Sequence, residues 1–318
     1  MKKFLKQIVY GLFLFALINL IILAFYEYPA YKAIKNKTHK NYLKWTDIHT
    51  NKNKYDLIIL GSSRMYTAFN PEIIDEGLNL NSYNMGTSAQ DIAESYYSLK
   101  EILDYQRPKY VVLELYFETS DNSHDFYQIF SNASFFNSTK NKYDLVTDGY
   151  GQKGIVNYVL PLLKFNNYIK QDLISLVSNT KEKKKSEIWI KGYLYDTTTV
   201  TVKQIKSFEP IGNLETTTFN ESRFKKYFYK IEKLAKAKNI KIIYIRTPYP
   251  PTRVAITSKT DERDYYDKFS KLKKITYYDL GYYKQYNYTD TDFTDYHHLN
   301  YKGAEKASKQ LIETIKEN

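Results

Sequence analysis

Ile8 to Tyr26 reads IVYGLFLFALINLIILAFY, 19 residues without a charge. As a helix rising 1.5 Å per residue this run is about 28 Å long, which just spans a hydrocarbon core. Lys2, Lys3 and Lys6 precede it. The positive-inside rule therefore keeps this end in the cytoplasm and places everything after Glu27 outside the membrane. A cleaved signal peptide is the rival reading. The apolar run exceeds the roughly 7–15 residues of a signal-peptide core, and no clean small-x-small site follows. No second run of comparable length occurs, so the expectation is a single-pass chain with one exported part.

Composition narrows what that part is. The chain has 318 residues, 43% of them hydrophobic, with 34 Tyr and no Cys. It is too apolar for a disordered chain, and without Cys it is neither a disulfide scaffold, a thiolate zinc module nor a cysteine-nucleophile enzyme. The formal charge of +12 invites a nucleic-acid reading, yet only six of the 47 basic residues are Arg, the usual base reader. The Lys are spread among many Asn, Ile and Tyr, and the densest cluster, Lys181 to Lys185, reads as a solvated loop. No nucleic-acid partner is expected. Attraction to an anionic glycopolymer or lipid surface stays open.

The order of elements is then read from apolar spacing. Pro29 to about Lys54 is polar and reads as a stalk with a short helix, giving expected boundaries of 1–26 for the tip and transmembrane anchor, 27–54 for the stalk and 55–318 for the domain. Tyr55–Leu60 is a buried strand closed by Gly61, and Asn70-Pro71 is a cap followed by Pro at the first helical position. Ser82–Met85 is a second strand, Ala89–Tyr105 a helix and Tyr110–Leu115 a third strand. From about 118 to 218 the chain turns irregular, with a helical patch near Tyr158–Val177 and a β-leaning stretch at Tyr193–Val202, and reads as an insertion or cap. The alternation returns with a helix at Glu221–Lys238, a strand at Ile240–Ile245, a helix at Asp264–Leu272, a strand at Ile275–Leu280 and a helix at Tyr301–Lys316. Five strands with intervening helices suit an α/β fold with a flavodoxin-like, doubly wound parallel sheet.

Ligands bind at the carboxyl ends of strands in such a sheet, so the segments just after strands carry the chemistry. Gly61-Ser62-Ser63-Arg64 can turn sharply and present a serine hydroxyl with its backbone N–H; an ordinary Ser-rich turn has the same spacing. Gly86, in Asn84-Met85-Gly86-Thr87-Ser88, can offer an N–H to an oxyanion or simply make a turn. Asp295-Tyr296-His297-His298-Leu299-Asn300 is the most specific of the three. A carboxylate three residues before a histidine can fix its tautomer and leave the other nitrogen free to take a proton. A solvent-exposed cap, or a metal site through His297, His298 and Asp292 or Asp295, are the alternatives. No third ligand has a persuasive spacing, and no metal or other cofactor is expected.

Taken in order, LGSSRM, NMGTS and DYHHLNYKGA resemble the SGNH (GDSL-like) hydrolase superfamily, over about residues 55–115 and 220–318. Within it they look most like the membrane-anchored, exported branch with DltD-like and AlgJ/AlgX-like proteins of envelope-polymer modification, which act beside membrane-bound O-acyltransferases. The resemblance implies Ser63 as nucleophile, His298 as general base, Asp295 as its orienting partner, and the Ser63 and Gly86 N–H groups as the oxyanion hole. Two departures stand out. Ser62 occupies the place of the family's Asp, and no GxND follows the third strand, where the chain reads Glu114-Leu115-Tyr116-Phe117 and the nearest Asn is Asn122.

The resulting expectation is a membrane-anchored, extracytoplasmic serine esterase or O-acyltransferase acting on O-acyl groups of a cell-surface polysaccharide. Aromatics of the insertion, among them Phe126, Tyr127, Phe135 and Phe136, are candidates for stacking on sugars or for packing. The alternative is an SGNH-fold subunit that binds glycopolymer or assists envelope assembly without catalysis.

Overall fold

The computed structural model describes residues 2–35, 40–115, 132–165, 169–170, 173–174, 187–207, 221–256, 271, 275, 277–281 and 287–317. The loop expected at Lys181–Lys185, most of the helix expected at Asp264–Leu272, and Tyr116, Phe117, Asn122, Phe126 and Tyr127 lie outside the described residues. The helices are α1 (Lys2–Lys35), α2 (Lys40–Thr50), α3 (Ser63–Ala68), α4 (Pro71–Leu78), α5 (Ile92–Leu103), α6 (Thr139–Asp144), α7 (Tyr150–Val159), α8 (Pro161–Lys164), α9 (Val202–Ser207), α10 (Glu221–Lys238), α11 (Pro251–Ile256) and α12 (Tyr301–Lys316). The strands are β1 (Leu57–Leu60), β2 (Ser82–Asn84), β3 (Tyr110–Glu114), β4 (Ile188–Ile190), β5 (Tyr193–Tyr195), β6 (Lys241–Arg246) and β7 (Tyr277–Asp279).

Two compact units result, one from Met1–Trp45 with Asp125–Lys185 and one from Thr46–His124 with Ser186–Asn318. This differs from the expected boundaries at 26 and 54. Helix α1 continues through Pro29 to Lys35, and much of the expected stalk is the helix α2. The expected insertion divides. Its first part groups with residues 1–45, at whose end Trp45 finds partners in it: the indole N–H donates to Asn132 Oδ1 (2.7 Å) and the ring meets Phe136 edge-on at 4.9 Å. Phe136 is buried there, and Phe135 lies against Tyr42, so these two rings pack. The last part supplies the β4–β5 hairpin and α9 to the larger unit. In the smaller unit α1 carries one stretch, Lys2–Phe25, long and apolar enough to cross a membrane.

In the larger unit all five strands of the main sheet are parallel and ordered β2-β1-β3-β6-β7. Counted along this sheet alone the order is 2-1-3-4-5, the doubly wound pattern of flavodoxin-like folds. Short apolar runs make these strands because both faces are covered. Leu57 and Ile59 of β1, Val112 of β3 and Ile243 and Ile245 of β6 face one layer, where Met65 and Phe69, Ile74 of α4 and Leu311 and Ile315 of α12 complete a buried core. The opposite face is closed by α5 and α10, whose Tyr97, Tyr227 and Phe228 are buried, with Phe228 against Tyr244 at 5.3 Å. Each such side chain contributes about 1.5–3 kcal/mol on burial.

The chain reverses direction across the sheet between β1 and β3, and both strands end at the same crevice. Asn70 caps α4 by accepting the Glu72 N–H (3.0 Å), with Pro71 in the first turn as expected. The segment after Gly61, read from sequence as a turn, is the one-and-a-half-turn helix α3.

Candidate active site

The serine is positioned by a turn that only glycine permits. Gly61 has φ of +146°, and a Cβ there would lie 2.5 Å from Glu114 Cβ and 2.6 Å from Met65 Cγ. Ser62 then caps α3, its Oγ accepting the Arg64 N–H (3.2 Å), while its own N–H donates to Glu114 Oε2 (2.6 Å). A serine does at this position what an aspartate does equally well, since both are good N-cap residues. Ser63 follows as the first residue of α3, where a backbone N–H has no helical carbonyl to bind.

The histidine arrives from the far end of the chain. Phe293 and Leu299 form an antiparallel bridge, and Thr294 N–H donates to His298 O (2.9 Å), folding 293–299 into a tight loop. Asn300 accepts the Lys302 and Gly303 amides as the cap of α12 and donates to Thr291 O (2.8 Å) and Thr198 O (3.1 Å). From the other side Thr252 is bonded to both oxygens of Asp290, and Arg253 donates to Tyr296 O (2.9 Å).

These two arrangements meet. His298 Nε2 lies 2.7 Å from Ser63 Oγ, and His298 Nδ1 lies 2.7 Å from Asp295 Oδ2. Asp295 Oδ1 accepts the N–H groups of His297 and His298, each at 2.8 Å. Burial alone would raise the Asp295 carboxyl. The hydrogen bond and charge of His298, aided by His297, outweigh it and hold the group well below the usual carboxylate range. An ionised Asp295 fixes the proton on Nδ1 and leaves Nε2 as acceptor toward Ser63. The His297 ring lies tilted by 50° against that of His298, centroids 3.8 Å apart, and its pKa is pushed down to about 3 by burial, then by His298, Arg64 and Arg253 against the pull of Asp295. It is neutral at pH 7. Asp295, His297 and His298 are also the His and Asp grouping, among the described residues, whose ligand atoms lie close enough to hold a metal ion. Asp295 Oδ2 and His298 Nδ1 are already engaged with each other by a hydrogen bond.

Gly86 is drawn against the serine loop: a Cβ on it would lie 3.1 Å from Ser62 O and 3.3 Å from Gly61 O. Thr87 N–H donates to Gly61 O (2.9 Å). The Gly86 N–H itself already donates to Asn84 Oδ1 (3.1 Å), an engagement the sequence did not reveal. The buried Asn84 amide also donates to Met65 O and Phe69 O, so it binds α3 to this loop.

Two further residues were missed. Glu114, at the end of β3, is an acceptor and holds the Ser62 N–H. Arg64 runs beneath the site with its Nε 3.9 Å from Glu114 Oε1, donating to Tyr249 Oη (2.7 Å) and Thr247 O (2.5 Å). It ties α3 to the loop after β6. An Arg directly after the serine and a Glu closing an apolar strand were the available signals. On the same helix as Ser63, Tyr66 meets the half-buried Trp189 of the hairpin at 5.3 Å, and its hydroxyl is 3.3 Å from Ser88 Oγ.

Comparison with known proteins adds little at the level of sequence. A protein-family model matches residues 200–318, less than half of the chain. No curated protein matches the sequence. Among solved structures the chain is similar to a GDSL-like lipase from Bacteroides thetaiotaomicron VPI-5482, at 13% identity over 86% of this chain and 98% of that one, with a TM-score of 0.40. It is also similar to a variant of an acetyl-xylooligosaccharide esterase from Geobacillus, at 9% identity over 83% and 95%, with a TM-score of 0.38. Likenesses this loose say nothing of substrate or reaction.

Proposed function

We propose that the protein is a serine esterase or O-acyltransferase of the SGNH type, close to its DltD-like and AlgJ/AlgX-like branch. The observation that carries this reading is the continuous hydrogen-bonded line from Asp295 through His298 to Ser63 at the carboxyl end of β1. In the first step Ser63 Oγ attacks the acyl carbonyl while its proton passes to His298 Nε2. The tetrahedral oxyanion is met by the Ser63 N–H and, once it releases or shares Asn84, by the Gly86 N–H. The C–O bond to the leaving alcohol breaks as His298 returns the proton to that oxygen. Water or a sugar hydroxyl then repeats the steps in reverse on the acyl-serine, regenerating the free hydroxyl.

The target we infer is an O-acyl group, such as acetyl, on a cell-surface polysaccharide or related glycopolymer. Helix α1 would anchor the chain with Lys2, Lys3 and Lys6 on the cytoplasmic side and the larger unit outside, beside a membrane-bound O-acyltransferase. The half-buried Trp189, packed against the buried Tyr66 three residues after Ser63, supports a sugar substrate, since an aromatic face packs against apolar faces of a ring.

The test is a fluorophosphonate reaction on the full-length protein, followed by intact mass. Wild type is expected to gain one adduct, and Ser63→Ala and His298→Ala none. Absence of an adduct in folded wild type would favour the non-catalytic binding or assembly subunit.

A further inference from the structure

Asn19 is the one amide side chain in the apolar run Ile8–Tyr26, seven residues before Tyr26, or about 10 Å of helix rise. It is only 8% exposed on a helix whose other apolar-run side chains are mostly open. Its Nδ2 donates to Phe15 O (2.9 Å), and its Oδ1 accepts the backbone N–H of Leu162 (3.1 Å). Both ends of the amide are satisfied inside the protein, as a polar group at membrane depth requires.

That hydrogen bond fixes α8, and with it the adjoining end of α7, at the level of Asn19. These helices suit the place. From Gly154 to Leu163 there is no charge. Ile155, Val156, Val159 and Leu162 are exposed, Val159 by 65%. The break between the two helices spends no unpaired amide: Leu160 N–H donates to Val156 O, Leu163 N–H to Leu160 O and Phe165 N–H to Pro161 O, while Pro161 has none to satisfy. An apolar face in water would be a liability of the kind monomers avoid. A turn with its amides bonded and its surface apolar is what hydrocarbon tolerates.

We propose that α7 and α8 are a second membrane-inserted element, lying beside α1 with Ile155, Val156, Val159 and Leu162 against lipid acyl chains. The inference rests on the reading of α1 as a membrane span. The occupant is lipid because Leu162, on this face, is bonded to Asn19 in the middle of α1, at a depth where lipid is the surrounding solvent.

The chain has no native Cys, so single reporters are readily placed. Full-length Leu14→Cys, Val156→Cys, Val159→Cys, Leu162→Cys and Val202→Cys would be labelled with an environment-sensitive fluorophore and reconstituted alone into phosphatidylcholine–phosphatidylglycerol vesicles. Labels at 156, 159 and 162 are expected to match Leu14, with blue-shifted emission and several-fold stronger quenching by doxyl lipid than by aqueous iodide. The Val202 label should show the reverse. Iodide quenching at 156, 159 and 162 with lipid quenching at Leu14 would overturn the proposal and leave the anchor standing. Iodide quenching at Leu14 as well would remove the anchor reading itself. Labels open in vesicles but shielded in native membranes would assign the face to a protein partner, which also overturns it.

Discussion

Glu114 Oε2 accepts the backbone N–H of Ser62 at 2.6 Å, so the last residue of β3 holds the turn that presents Ser63. A carboxylate that binds an amide beside Ser63 acts on the shape of the loop, and it does so from a site where its side chain is 2% exposed.

Replacing Glu114 with Ala should therefore strip the Ser62 amide and Arg64 of a buried acceptor, at a cost of about 2–4 kcal/mol. Esterase activity should fall with it. Glu114→Gln keeps an acceptor oxygen and should recover most of both. Urea denaturation beside turnover of a small acetyl ester would check this; equal losses in the two variants would mean that the charge, and not the amide contact, matters.

Asp295→Asn leaves the shape of the loop but offers His298 the wrong hydrogen-bond partner. The expected loss in kcat is about 10³–10⁴-fold with KM little changed. His297→Gln should cost far less, because His297 reaches Ser63 only through His298. Comparable losses in the two variants would point to a shared structural or metal-binding role for the pair.

The depressed His297 makes a prediction about acid. Its ordinary value is 6.5 and its folded value about 3, so between these pH values the unfolded chain carries a proton that the folded one lacks. Stability must then rise with pH across that window and fall as pH drops from about 6.5 toward 3. Asp295, also held below its ordinary value, adds a fall of the same sign below about pH 3.8. Denaturation midpoints taken from pH 7 to 4 should be flatter in His297→Gln than in wild type. Parallel curves would show that His297 titrates normally.

Gly61→Ala combines a positive φ with a collision into Glu114 Cβ. The strain should cost about 1–3 kcal/mol and displace Ser63 from His298. Fluorophosphonate labelling is expected to slow by more than the fraction unfolded explains. Labelling at the wild-type rate would count against the glycine's role.

Trp189→Ala should raise KM for an acetylated oligosaccharide several-fold and leave ethyl acetate, which has no ring to stack, unchanged. A matching loss on both substrates would make Trp189 a prop for Tyr66 and α3.

Much of this was legible in the sequence because it is written locally. Apolar runs mark β1, β3 and β6, Asn70-Pro71 marks a helix start, and Asp295 and His298 share one turn. The rest depends on what the chain folds against. Six residues after Gly61 are too few for a helical period to emerge, so α3 looked like a turn. Glu114 and Arg64 acquire meaning only when β3 ends beside α3. The engagement of Gly86 by Asn84 needs both side-chain rotamer and loop, and the division of the insertion follows from the contact of Trp45 with Asn132, 87 positions away.

The separation of 235 positions between Ser63 and His298 also orders events in time. A ribosome makes the serine and its turn long before the imidazole that would activate it exists. On the proposed chemistry the hydroxyl would be idle during synthesis, and a chain interrupted anywhere before the Asp295–His298 loop would carry its serine without a base. Reactivity of Ser63 would thus report that the chain has been made and folded through that loop.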